Sequence, residues 1–291
     1  MASDFETQVR ATNEKINART GRPIIRAIAV GLLLGGALLV SLLIFKEIFL
    51  IFAGALVGFT SYELASALRF AGRDVPRLPT VVAAVAVVPA AFFWLAGGHW
   101  YVTLAGIALI SIWRLVESAL PGGRTSARNL LLDLGAGALI MVYVAFMAGF
   151  TVLLTAQDGG QWWTLAFIVV VVSVDTGAYA SGLAFGKHPM APTISPKKTW
   201  EGFAGSVIAA VIAGILLALF MLQQPWWVGL IMGLVLVTTA TMGDLAESLI
   251  KRDLGIKDIS TWLPGHGGFL DRLDSILLSS AAAYALFLIF T

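Results

Sequence analysis

The stretch GDLAESLIKRDLGIKDISTWLPGHGGFLDRLDS, Gly243 to Ser275, lies between apolar runs at about 226–246 and 273–290. Each run has the roughly 20 apolar residues a membrane span requires. The stretch therefore reads as a polar connection that leaves the bilayer and re-enters it. Asp244 and Asp271 sit at the ends of the two runs. Between them come Lys251, Arg252 and Lys257, then the tight turn Pro264-Gly265-His266-Gly267-Gly268. Ionisable groups at the edge of a bilayer are costly and by default mark function, so the chemistry is expected here.

The rest of the chain supports a membrane reading. Of 291 residues, 58% are hydrophobic and 12% charged, against about 25% charged in a soluble domain. Apolar runs fall at about 24–45, 47–68, 78–97, 101–120, 129–151, 162–182, 203–222, 226–246 and 273–290. The expected fold is all-α: a polytopic integral membrane protein of about nine transmembrane helices with no soluble domain. Residues 1–22 read as a polar tail or surface helix, 23–160 as N-terminal spans, and 161–291 as a catalytic region of spans and polar loops. The polar N-terminus lacks the short apolar core of a cleavable signal, so the first span is expected to stay in the protein. There is no cysteine, which rules out disulfides, thiolate nucleophiles and Cys-ligated zinc.

Basic residues orient the spans. Arg10, Lys15, Arg19 and Arg22 precede the first; Arg69, Arg73 and Arg77 follow the second; Arg124 and Arg128 follow the fourth. Lys187, Lys197 and Lys198 follow the sixth, and Lys251, Arg252 and Lys257 the eighth. With nine spans these share one face, which is expected to be cytoplasmic together with the N-terminus. His99 is expected on the opposite face. Within the spans, Arg114 and Glu117 stand three apart and are expected to neutralise each other. Glu63 and Asp133, near the ends of their spans, suit a structural role as well as a catalytic one.

Two further clusters join the opening stretch. Asp175-Thr-Gly-Ala-Tyr179 leads into Ser195-Pro-Lys-Lys-Thr-Trp-Glu-Gly202. Ser195 before Pro196 predicts a helix N-cap with proline at the first helical position. Lys197 and Lys198 at such a helix start would make an anion site, or simply cap an ordinary span. On a helix Asp244, Glu247, Ser248 and Lys251 share one face. They would hold a metal with its phosphate, or form an amphipathic helix end. Carboxylates, lysines and glycine turns together suit Mg²⁺–phosphate chemistry. The residues alone thus indicate a membrane enzyme acting on a phosphorylated or nucleotide substrate, with a transporter as the rival of another class. No nucleic-acid partner is indicated.

The pattern Ser248-x-x-Lys251-Arg252, Lys257-Asp258 and Pro264-x-His266-Gly267-Gly268-x-x-Asp271-Arg272-x-Asp274 resembles the signature of phosphatidate cytidylyltransferases, also called CDP-diacylglycerol synthases. The Asp175–Tyr179 and Ser195–Gly202 segments resemble that family too, while Leu183 stands where relatives often carry a basic residue. The clear likeness covers roughly 170–291. It implies transfer of CMP from CTP to phosphatidic acid, in phospholipid biosynthesis, by a multi-pass plasma-membrane enzyme whose site faces the cytoplasm. It also implies Mg²⁺, in some members a monovalent cation such as K⁺, and a homodimer. By motif, Asp244 and Asp271 would be the metal ligands and, with Lys198 and Lys251, the catalytic groups. Asp175, Ser195, Lys197, Thr199, Glu201, Ser248, Arg252, Lys257, His266, Gly267, Gly268, Arg272 and Asp274 would bind substrate. A related enzyme using CTP with another lipid phosphate, or a CTP-dependent lipid kinase, is the nearer rival.

Overall fold

A computed structural model of the chain describes residues 24–44, 46–120, 125–260, 262–263 and 267–291. The expected N-terminal tail or surface helix, its basic residues, Arg124 and His266 all lie outside the described residues. The helices are α1 (Ile24–Leu43), α2 (Lys46–Phe70), α3 (Arg77–Phe93), α4 (Leu95–Ala119), α5 (Ala127–Ile140), α6 (Met147–Ala156), α7 (Gly160–Phe185), α8 (Trp200–Phe220), α9 (Trp226–Asp253) and α10 (Leu270–Phe290). A π-helical turn, Met141–Phe146, joins α5 to α6 in one continuous rod. Nine apolar rods therefore stand where nine runs were expected, counted among the described residues. Seven of them are 21 to 30 residues long and apolar enough to cross a membrane, while α1 and α3 are shorter. At about 1.5 Å per residue, 21 residues match the roughly 30 Å of a hydrocarbon core.

Short turns link successive rods, so alternate ends come together. The turn between α3 and α4 is a single residue, Trp94, earlier in the chain than the apolar pattern predicts. The longer polar connections all gather at one end. Contacts among the described residues agree with this. Asp74 N–H donates to Asp133 Oδ1, in the first half of α5, at 3.0 Å. Arg252 Nε at the end of α9 donates to the Ile194 carbonyl at 3.1 Å, and Glu63 near the end of α2 accepts from Leu270 N–H at the start of α10. His99, near the start of α4, is buried at the other end. It stacks on Phe146 with ring centres 4.3 Å apart, and its Nε2 meets the Phe146 carbonyl at 2.9 Å.

One apolar core lies among α6, α7, α8, α9 and α10, around Phe167, Met232 and Leu236. A second joins α1, α2, α3, α4 and α6 around Val87, Ile110 and Leu153. Where α9 meets α10, the backbones touch. A Cβ on Gly243 would collide with the Asp274 carbonyl and stand 3.3 Å from Ser275 Cα. Small residues permit this approach in a membrane bundle, where close packing replaces the hydrophobic drive. The contact sets Asp244 beside Asp274.

Arg114 and Glu63, charged groups inside the bundle, are satisfied by partners. Arg114 was expected to pair with Glu117, but that contact is loose at 3.9 Å. Its main partner is Asp133, whose Oδ2 takes Nε at 3.0 Å and Nη2 at 2.9 Å. Asp74 accepts a further bond at 3.1 Å. A planar guanidinium satisfies several acceptors at once, and Asp133 presents its carboxylate from the next helix. Glu63 is buried and holds the connection before α10. It accepts from Ser260 Oγ at 2.5 Å and Leu270 N–H at 3.1 Å.

Candidate active site

At the polar end, α7, α8, α9 and α10 open around a cavity of about 460 Å³. From α7, Asp175, Ala178, Tyr179 and Gly182 line it on one helical face, the i, i+3, i+4, i+7 spacing of a stripe. From α9 come Thr241, Asp244 and Lys251; from α10 come Asp271, Arg272, Asp274 and Ser275.

The remaining wall is a two-stranded antiparallel hairpin, β1 (Pro189–Ala191) and β2 (Ser195–Thr199), with Ala191 opposite Ser195 and Pro189 opposite Thr199. This corrects the expected N-cap at Ser195. A residue before proline is driven to extended backbone, and in a two-stranded hairpin Pro196 sits at an edge where its missing N–H is tolerated. The helix begins later. Thr199 is the N-cap, its Oγ1 accepting from Gly202 N–H at 3.1 Å. Ser195, Lys197, Lys198 and Thr199 all reach the cavity, so the lysines stand on a strand beside a helix start.

Two residues expected to bind substrate, Glu201 and Arg252, engage this hairpin. Glu201 Oε2 accepts from the Lys187 and His188 N–H groups at 3.1 and 3.2 Å, and Oε1 meets His188 Nδ1 at 2.5 Å. Arg252 holds the hairpin turn through Ile194. Together they tie its base to α8 and its tip to α9.

The charges are arranged in pairs. Lys198 Nζ lies 2.6 Å from Asp244 Oδ2. Lys251 Nζ lies between two carboxylates, 2.5 Å from Glu247 Oε2 and 2.9 Å from Asp271 Oδ1. The Glu247 side chain has no exposed surface, so the lysine is what makes its burial tolerable. Ser248 Oγ makes a long 3.4 Å bond to Asp244 Oδ1. The stripe expected on α9 is therefore present, and Glu247 anchors Lys251 from beneath.

The glycine turn acts through Asp271. Gly267 has φ +81°, a conformation that glycine adopts without strain. It lets Gly268 N–H point at Asp271 Oδ2, 2.7 Å away. Both oxygens of Asp271 are thus engaged, one by Lys251 and one by backbone.

Ten of the residues singled out by sequence line the cavity: Asp175, Ser195, Lys197, Lys198, Thr199, Asp244, Lys251, Asp271, Arg272 and Asp274. Glu201, Ser248, Arg252, Lys257, Gly267 and Gly268 stand outside its lining. Sequence reasoning did not single out Ser206, Ser275, Thr241 or Tyr179 as site residues. For three of them the signal is only a polar side chain at helical spacing from a marked one: Thr241 lies three before Asp244, Ser275 four after Asp271, and Tyr179 four after Asp175. Among the described residues, no three carboxylate or histidine groups are gathered into a ready metal cage.

Comparison with known proteins gives the arrangement a context. Residues 25–290 match the model of the family described as the cytidylyltransferase family. A phosphatidate cytidylyltransferase of Mycobacterium bovis is 39% identical over 277 residues, 92% of this chain and 89% of the relative. One from Mycobacterium leprae is 39% identical over 287 residues, covering 94% and 90%. One from Brucella suis is 39% identical over 145 residues, covering 50% and 54%.

Proposed function

The chain belongs to the cytidylyltransferase family, and from that premise we propose that it transfers a cytidylyl group from CTP to phosphatidic acid, giving CDP-diacylglycerol and pyrophosphate. The observation that carries this reading is the single cavity in which Lys197, Lys198, Lys251 and Arg272 meet Asp175, Asp244, Asp271 and Asp274. It opens at one end of a bundle of membrane-crossing length, where a lipid and a water-soluble nucleotide both have access.

A phosphate monoester has a second pKa near 6, so phosphatidate is mostly dianionic at neutral pH and needs no general base. One of its oxygens attacks the CTP α-phosphorus. A new P–O bond forms, the bond from the α-phosphorus to the bridging oxygen breaks, and pyrophosphate leaves with that electron pair. The protein must align two anions in line and spread the charge of the transition state. Lys197, Lys198 and Arg272 would hold phosphate oxygens. Lys251, fixed between Glu247 and Asp271, keeps its charge aimed at the cavity.

The donor set suits Mg²⁺. Asp244 and Asp271 supply oxygen only, and magnesium is commonly held by one or two carboxylates with water and phosphate completing its shell. When bound, the ion neutralises charge on phosphate oxygens. The resemblance adds a monovalent cation such as K⁺, and a homodimer. Replacing K⁺ by choline tests the first, and mass measurement in detergent tests the second. The resemblance implies a plasma-membrane location, and a cavity facing the cytoplasm is supported by the basic residues of the polar end, Arg69, Arg73, Arg77, Arg128, Lys187 and Lys257 among them. A single cysteine at exposed Lys257, in a chain otherwise free of cysteine, should be labelled only from the cytoplasmic side.

The decisive experiment incubates purified enzyme with labelled CTP and phosphatidic acid, with and without Mg²⁺. Metal-dependent CDP-diacylglycerol with equal pyrophosphate is the expected result. Free CDP with a newly phosphorylated lipid would make it a kinase, and no CTP turnover with any lipid phosphate would bring the transporter reading forward.

A further inference from the structure

Next to the polar cavity lies an apolar one of about 280 Å³, walled by α1, α2, α6, α7 and the start of α10. Its lining is aliphatic and aromatic, with Phe49 and Ala53 on one side and Phe269 on another. Among the described residues, Arg272 is the single charged side chain in that lining. The same Arg272 lines the polar cavity. One guanidinium therefore stands at the junction of a charged chamber and a hydrocarbon-like one.

We propose that the apolar cavity holds one fatty acyl chain of the lipid phosphate substrate, with Arg272 meeting its phosphate where the two chambers adjoin. This rests on the phosphatidate reading above and adds the place of the chain. A guanidinium suits a phosphate by charge and by its fork of donors. An apolar, walled space suits a methylene chain and rejects a nucleotide. At about 30 Å³ for a group the size of a water molecule, the space takes roughly nine methylenes. That is part of one chain and not two, so the second chain stays in the bilayer.

The chamber exists partly because α1 presents glycine to it. A Cβ on Gly31 or Gly35 would meet nothing within 4 Å, so a larger side chain there grows into the cavity without a clash. A chain moving from lipid into this space exchanges one hydrocarbon environment for another. The site therefore acts on selectivity between chains through packing, more than on overall affinity.

The test uses the full chain in mixed micelles, comparing dioleoyl with dihexanoyl phosphatidate. In Gly35→Leu, kcat/KM for the dioleoyl lipid should fall about tenfold, the low end for loss of a fitted apolar contact. The dihexanoyl lipid should change less than about twofold, and the KM for CTP should not move. An equal fall for both lipids, or no fall for either, would overturn the proposal. A second measurement needs no folded variant. Wild-type enzyme is crosslinked to phosphatidate carrying a diazirine midway along one chain, and the labelled peptides are mapped. Labelling should fall on α1, α2 and the first turns of α10. Labelling only elsewhere, or equal labelling by phosphatidylcholine with the same chain, would mean an ordinary bilayer lipid in the groove and would overturn it. A wild type that makes no CDP-lipid from either substrate refutes the reaction instead, and the crosslink map still decides where the chain lies.

Discussion

Two clusters of charge stand at the same end of this bundle, and they differ in what they leave open. In the first, Arg114 of α4 closes on Asp133 of α5, with both side chains almost wholly buried at 5% and 3% exposure, and Asp74 completes the set. The Arg114–Asp133 pair leaves nothing for a ligand to meet, and the Asp74 side chain, 64% exposed, caps it from outside. In the second, Lys198 and Lys251 pair with Asp244 and Asp271 while all four still face a cavity. The same chemistry of acid and base thus makes a staple in one place and a receptive site in the other. The difference is geometric: the first cluster joins neighbouring helices flush, whereas the hairpin of β1 and β2 holds its lysines across an open space.

The sharpest way to break this comparison is to remove one charge from each cluster. Asp244→Asn should lower kcat by about 10³-fold or more, the scale of losing a principal electrostatic group of a phosphoryl-transfer site. Its thermal unfolding in detergent should remain near wild type. Full activity would sink the assignment of Asp244 as a metal ligand. Arg114→Met should do the reverse. It strands a buried carboxylate and should cost about 3 kcal/mol of stability, read as a lower Tm, with kcat of the folded fraction preserved. The double variant Arg114→Met/Asp133→Leu should recover most of that stability; a failure to recover would mean that the pair is more than a staple.

Smaller effects test the hairpin. Arg252→Met removes a charge-assisted bond to the Ile194 carbonyl, of the order of 1.5 kcal/mol, and should raise the KM for CTP about tenfold with a lesser change in kcat. A loss in kcat alone would argue that Arg252 meets the reacting phosphates. Thr199→Ala removes the α8 N-cap and should cost about 1 kcal/mol, visible in thermal unfolding. No change at all would mean that α8 begins elsewhere.

The helices were legible because burial in a bilayer leaves a plain mark: runs of apolar residues of the right length, punctuated by polar loops. Their ends were less so. The turn at Trp94 sits inside an apolar run with no local polar signal, and the π turn at Met141–Phe146 carries none. In the site, the acids and lysines stood out against an apolar background, so Asp175, Asp244, Lys198 and Asp271 could be marked from sequence. What could not be read was which partner each group takes. Ser195-Pro196 carries the same local signature whether it caps a helix or enters a strand, and its pairing with Ala191 decides. Glu117 lay at the right spacing for Arg114, yet Asp133, nineteen residues away, has the better geometry. Glu201 and Arg252 stood out because charge marks function. What was not legible is that both also brace the hairpin, Glu201 through the Lys187 and His188 N–H groups and the His188 ring, and Arg252 through the Ile194 carbonyl.

The seam at Gly243 carries a consequence for how this sequence can vary. With α9 and α10 in backbone contact there, even one added methyl meets the Asp274 carbonyl and pushes apart the helices that bear Asp244 and Asp274. In a library covering all twenty amino acids, position 243 should return glycine alone among active clones. Positions 31 and 35, where an added methyl meets nothing, should return a range of residues sorted by the lipid supplied. The same amino acid would then be an invariant at one site and an adjustable dial at the others.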